Sequence, residues 1–93
     1  MENIVRARVV VTGRVQGVFF RMETKRTADR WGVAGWVKNR RDGAVEAVFE
    51  GEKKNVLAIV EWCKTGPPHS KVEDIDIKWE DATEGLEGFY IKY

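Results

Sequence analysis

Along residues 4–12 apolar and charged side chains alternate, with Val5, Ala7, Val9 and Val11 pointing one way and Arg6 and Arg8 the other. Successive side chains of an extended chain leave on opposite faces, so a period of two predicts a half-buried strand. Gly13 and Gly17 break the pattern, and residues 13–19 read as a loop. From about Phe20 to Trp31 the period lengthens: Phe20, Thr24, Thr27, Ala28 and Trp31 share one face of a helix, charges occupy the other, and Gly32 is placed to cap its end. Residues 33–40 and 44–50 read as two strands joined through Arg41-Asp42-Gly43, where Asp-Gly is a hairpin signal. In the second of these, Val45, Ala47 and Phe49 form the buried face, and Glu46, Val48 and Glu50 a mostly wet one. A second helix opens at Gly51-Glu52 and carries Val56, Ile59, Val60 and Cys63 as its apolar stripe. It must stop at Gly66-Pro67-Pro68, because proline lacks the amide donor a helix needs. Residues 72–80 alternate again, Ile75, Ile77 and Trp79 against Asp74, Asp76 and Lys78. Residues 81–88 read as a polar loop, and Phe89 to Tyr93 as a short last strand.

The order is therefore β-α-β-β-α-β with one added terminal strand. A single α+β domain over residues 1–93 follows, with an antiparallel sheet of four to five strands and both helices on one face in the split-βαβ arrangement. That packing gives every amphipathic face a partner. There are no repeats, linkers or low-complexity tracts.

Composition narrows the setting. A chain of 93 residues makes one domain, and 43% hydrophobic residues, with four Trp and four Phe, suffice for a core. No apolar run approaches the ~20 residues that span a bilayer. Met1-Glu2-Asn3-Ile4 has an acidic residue where a signal peptide carries basic ones, so a cytoplasmic protein is expected. A lone cysteine, Cys63, and a lone histidine, His69, make neither an internal disulfide nor, together, a metal site. Both fit a reducing compartment and a fold without metal or cofactor. The formal net charge of +1 gives no strong case for nucleic acid or an anionic membrane. A monomer is the expectation for a chain without a long apolar surface stripe.

The chemistry-bearing segment is Arg14-Val15-Gln16-Gly17-Val18-Phe19-Phe20-Arg21, between a strand and a helix N-terminus. Unpaired amides and the positive end of the helix dipole converge at such a junction, which suits an anion. Arg21, in the first helical turn, opposes that dipole, and makes sense if a doubly charged anion sits before it and takes two parallel hydrogen bonds from its guanidinium. From spacing alone, a plain glycine turn with Arg21 reaching into solvent stands equally. The segment is not a Walker motif, since no Gly-Lys-Ser/Thr follows.

Gly13-Arg14-Val15-Gln16-Gly17-Val18-Phe19-Phe20-Arg21 resembles the first signature of the acylphosphatase family. Gly35-Trp36-Val37-Lys38-Asn39, followed by Gly43, Val45 and Gly51 at the family's spacing, resembles the second. The resemblance implies the family's ferredoxin-like sandwich over essentially the whole chain. It implies that backbone amides of Val15, Gln16, Gly17, Val18, Phe19 and Phe20 cradle a phosphate. It also implies that Arg21 binds substrate and that Asn39 holds the attacking water. The substrate class it implies is a small-molecule acyl phosphate, with inorganic phosphate or sulfate as competing anion, and with acetyl, carbamoyl and 1,3-bisphosphoglycerate-type compounds all open.

The scarcity of catalytic side chains agrees with that chemistry. A carboxylate whose conjugate acid has a pKa of roughly 4 departs at neutral pH without a proton donor. Loose phosphoryl transfer then asks mainly for positioning and charge stabilisation, whereas an alkoxide leaving group would demand more. The remaining candidates read as structural. His69 falls in a surface loop, Cys63 on a core stripe, and Trp31 and Trp79 on core faces, with Trp62 beside a stripe. Lys38, Arg40, Arg41 and Arg14 are solvated turn residues that could also attract anionic substrate.

Two other classes compete. An RNA-binding sheet would need a basic open face, yet Glu46, Glu50, Asp74 and Asp76 are expected there. A non-catalytic regulatory module binding an acyl or carbamoyl phosphate would have no use for Asn39. A chain that begins and ends close around the domain also favours a free-standing enzyme.

Overall fold

Val9, Val11 and Ala7, the apolar half of the first alternating segment, are completely or almost completely buried, at the middle of the sheet rather than its margin. The structure is a computed structural model and describes residues 3–93; the reading of the N-terminus at Met1 and Glu2 lies outside the described residues. The elements are β1 (Ile4–Arg14), α1 (Phe20–Trp31), β2 (Ala34–Asn39), β3 (Val45–Glu52), α2 (Lys53–Cys63), β4 (Lys71–Glu80) and β5 (Phe89–Ile91). They form one sheet in the order β4-β1-β3-β2-β5. β1 pairs antiparallel with β3 and β4, and β2 antiparallel with β3.

β5 departs from the antiparallel expectation. It runs parallel to β2, pairing Gly35, Trp36 and Val37 with Phe89, Tyr90 and Ile91, so the sheet is mixed. The chain reverses after β4 at one edge and residues 81–88 carry it to the other edge, where it can only run alongside β2 in the same direction. The four remaining strands with two helices are the ferredoxin-like arrangement.

Residues of the inner face interlock with the helices. Phe20, Phe49 and Ile59 are the largest fully buried side chains, and the Phe49 and Phe89 rings stack 5.6 Å apart. The α2 stripe of Val56, Ile59, Val60 and Cys63 is buried as its spacing predicts. At roughly 1.5–3 kcal/mol per fully buried large apolar side chain, these contacts supply the main stabilising term.

Four expectations are corrected. Trp31 is exposed, because Gly32 takes a left-handed conformation and Val33 folds back, its N–H donating to Ala28 O, to fill the space under the helix end. Trp79 is 51% exposed, because β4 is an edge strand and α2 packs on β1 and β3. Val48 and Glu50 lie on the outer face but are buried. Residues 81–88 fold across that face, with the Glu50 carboxylate accepting from Thr83 N at 2.8 Å and Glu84 N at 3.0 Å. Trp36, opposite Val48, is covered by Lys92, Lys38 and Arg8 at 4.3, 5.5 and 5.7 Å from its ring. Finally, Gly51 and Glu52 belong to β3 rather than α2, since they pair with Val5 and Ile4.

Candidate active site

The turn between β1 and α1 is held by two anchors. Val15 and Phe20 are 1% and 2% exposed, and the backbone between them is left on the surface. β1 enters this turn through a register shift at Thr12/Gly13, where Gly13 has φ 121° and a Cβ would lie 2.2 Å from Lys71 O. Only glycine fits there. Gly17 and Phe19 follow with φ of 73° and 62°. A left-handed phenylalanine is strained, and Phe19 gains little burial in return, being 72% exposed.

Phe19 is also the N-cap of α1 and provides no side-chain cap. The first helical hydrogen bond runs from Glu23 N to Phe19 O, which leaves the amides of the preceding turn without helical acceptors. Among the described residues, no backbone or side-chain group accepts from the amides of Val15 to Phe20. An uncapped helix start with a row of unpaired N–H groups is electropositive without any side chain.

A cleft of about 270 Å³ opens in front of this turn, lined by Val15, Gly17, Phe19, Phe20, Arg21, Met22, Asn39, Ile91 and Tyr93. Arg21 and Asn39, taken from separate sequence segments, thus share one cleft. Arg21 is half-buried, stacks over the Tyr93 ring at 5.1 Å, and has no acidic partner among the described residues. Asn39 ends β2, opposite Val45, and is half-buried in the cleft wall. Among the described residues no Asp, Glu, His, Cys or Lys lines the cleft, so its one charged side chain is the guanidinium.

The other loop residues divide. Gln16 directs its side chain away from the cleft lining, donating to Arg40 O at 2.8 Å and Ala44 O at 2.9 Å. Val18 packs against the core instead of lining the cleft. Met22, Ile91 and Tyr93 line it without having been singled out from sequence; β5 and the residues just after it bring two of them from the far end of the chain, a pairing that leaves no local pattern.

Residues read as structural sit accordingly. Cys63 is buried, and desolvation pushes its thiol up to about 12. His69 is exposed in a left-handed turn. Arg40 pairs with Asp42 at 2.8 Å, and Lys38 reaches Glu46 at 3.9 Å. Of the outward acids, Glu46 holds Arg8 at 2.6 Å and Glu50 is enclosed, whereas Asp74 and Asp76 on β4 are exposed as expected. No helix among the described residues is long and apolar enough to cross a membrane.

These features define a split-βαβ sandwich with a cleft at the β1–α1 turn whose one charged side chain among the described residues is Arg21. Residues 7–91 match the acylphosphatase family. An acylphosphatase of Rubrobacter xylanophilus is 54% identical over 87 residues, 94% of this chain and 79% of that protein. The crystal structure of an acylphosphatase from Bacillus subtilis superposes with a TM-score of 0.92 at 45% identity, covering 96% of this chain and 99% of that one. Full-length HypF, in a phosphate- and nucleotide-bound form, contains the same sandwich in 12% of its chain, matching all of this one at TM-score 0.90 and 26% identity. The chain belongs to the acylphosphatase family, and is an enzyme of that class.

Proposed function

We propose that the cleft hydrolyses the carboxyl–phosphate bond of small acyl phosphates by direct attack of water. The phosphoryl group sits against the amides of Val15 to Phe20, and the Arg21 guanidinium donates two hydrogen bonds to its oxygens. The Asn39 carboxamide oxygen accepts a hydrogen bond from a water and its N–H donates to solvent or phosphate, aiming the water's oxygen at phosphorus. As the new P–O bond forms, the bond to the carboxyl oxygen breaks and the carboxylate leaves with its electron pair. The water's proton passes to a phosphate oxygen, giving carboxylate and inorganic phosphate. Asn39 holds no charge, so its part is orientation, while the guanidinium and amides match the charge of the loose transition state.

The observation that carries this reading is the convergence of Arg21, Asn39 and the acceptor-less turn on one cleft. Among the described residues no Asp, Glu, His, Cys or Lys lines the cleft: a carboxylate leaving group needs no proton donor, and a phosphate oxygen takes the water's proton in place of a base. The proposal includes a monomeric, cytoplasmic protein, in keeping with a single cysteine that is a buried free thiol.

A second reading is a module that binds an acyl phosphate without cleaving it; the same sandwich inside a far larger chain is what favours it. One experiment separates them. Benzoyl phosphate and p-nitrophenyl phosphate are offered to the protein in a chelator, alongside Asn39→Ala. Rapid cleavage of the acyl phosphate alone is expected. In folded Asn39→Ala, kcat should fall about 100-fold or more, while the competitive Ki of inorganic phosphate moves by less than about threefold. Binding without turnover in the unsubstituted protein would support the module, and near-normal turnover in Asn39→Ala would remove its assigned role.

A further inference from the structure

The Gln16 side chain spans two elements that the reaction needs in register. Gln16 lies on the turn between β1 and α1, between the two core anchors Val15 and Phe20. Its Nε2 donates to Arg40 O at 2.8 Å and Ala44 O at 2.9 Å, the two carbonyls that bracket the β2–β3 turn. Arg40 is the residue next to Asn39, and its N–H donates to Ala44 O at 2.8 Å. Both hydrogens of one carboxamide are therefore used to join the phosphate-facing turn to the peptide adjoining Asn39.

No other side-chain hydrogen bond among the described residues links these two segments. The β2–β3 turn is otherwise stabilised from within, by Asp42 accepting from Ala44 N at 3.1 Å and from Arg40 at 2.8 Å. β1 and β2 are not adjacent in the sheet, since β3 lies between them. Without Gln16, the separation of the two would be set only by the sheet and by packing beneath it. Gln16 is also half-buried at the surface, so these bonds add little to the core. Two neutral hydrogen bonds to backbone contribute on the order of 1 kcal/mol each. Their greater consequence is geometric, because a displacement of about 1 Å between catalytic groups can cost 100-fold in rate.

We infer that Gln16 is a positioning residue, a strut that fixes the water-holding Asn39 against the anion-holding turn. The inference rests on the reaction proposed above. It separates two functions that share the cleft: the amides and Arg21 hold the anion without Gln16's carboxamide, whereas alignment of water on phosphorus depends on it. Loss of the carboxamide should therefore appear in kcat and spare anion affinity.

Gln16→Met tests this, because methionine keeps the length and neutrality and removes both donors. Gln16→Leu is the second variant, in case the thioether packs unfavourably. With benzoyl phosphate, kcat is expected to fall roughly 10- to 100-fold in each, and the competitive Ki of inorganic phosphate to move by less than about threefold. Thermal unfolding establishes that both variants are folded at the assay temperature. A double-mutant cycle with Asn39→Ala gives the readout that general loosening would not: in the Asn39→Ala background, Gln16→Met should cost less than about twofold, since its effect runs through Asn39. Wild-type kcat in a folded Gln16→Met, an equal loss of phosphate affinity, or full additivity with Asn39→Ala would overturn the inference while leaving the hydrolytic reading intact. A wild-type protein that cleaves no acyl phosphate would overturn that reading and this inference with it.

Discussion

Replacing Arg21 separates function from stability in a way that few core or surface changes could. Among the described residues the guanidinium is the one charged side chain lining the cleft, in the first turn of α1, and it has no acidic side-chain partner. Two unit charges about 4 Å apart interact by about 4 kcal/mol at an effective dielectric of ~20. The cleft is open to water, so about half of that survives for each charge, and a dianion restores a total of about 4 kcal/mol. In Arg21→Ala this corresponds to roughly a 1,000-fold loss of kcat/KM, with the competitive Ki of phosphate rising in parallel. Arg21→Lys keeps the charge and gives up the two-pronged donor and the flat stack on Tyr93, and should lose roughly 10- to 30-fold. Stability should hardly change. A cation at a helix N-terminus costs about 0.3–1 kcal/mol, comparable to the about 0.5–1 kcal/mol of an exposed stack on tyrosine. Arg21→Ala should therefore unfold within a few degrees of wild type. The assay is benzoyl phosphate turnover followed by absorbance, with phosphate as competitor and thermal unfolding by circular dichroism. A folded Arg21→Ala that loses less than about tenfold in kcat/KM would refute the electrostatic argument.

Two further expectations concern titration. Hydrogen bonding by Arg8, with a further contribution from Arg6, holds the Glu80 carboxyl below its usual range. A depressed carboxyl stabilises the fold above its unfolded pKa and loses that contribution as pH falls through the folded value, so Glu80→Gln should lower the melting temperature near pH 7 and cease to matter near pH 2. An equal effect at both pH values would contradict it. Burial pushes the Cys63 thiol from 9.0 to about 12, so its contribution is complete below pH 9 and is lost as pH rises toward 12. At pH 8 a thiol reagent should label Cys63 only as fast as the protein opens, and rapid labelling of the native protein would show the helix stripe misplaced.

Much of this molecule was legible along the chain because its signals are local. The period-two run of β1, the helical stripes and the Gly32 cap concern residues within one or two turns of each other, and both helices and the first four strands lie where those patterns predict, apart from Gly51 and Glu52, which extend β3 instead of opening α2. The cleft's polar pair was legible for a different reason: Arg21 and Asn39 sit in two short signatures whose resemblance supplied their partnership before any geometry did. What escaped depends on distant segments. Val48 and Glu50 look like solvent-facing residues until residues 81–88 fold over them. Trp79 alternates like a core residue, but an edge strand offers it no helix to pack against. The parallel docking of β5, which delivers Ile91 and Tyr93 to the cleft, is fixed by tertiary pairing with β2 and carries no period of its own. The carboxamide of Gln16 reaches a turn far along the chain, and nothing in its neighbours announces that.

The central claim is that the turn entering α1 holds a dianion through its own amides. Titrating the ¹⁵N-labelled protein with inorganic phosphate and following each amide tests it directly. Saturable shifts concentrated at Val15 to Phe20 and at the Arg21 guanidinium, lost in Arg21→Ala, are the predicted result. Shifts that fail to saturate, or that centre on Lys38, Arg40 and Arg41 while the turn stays unmoved, would contradict it.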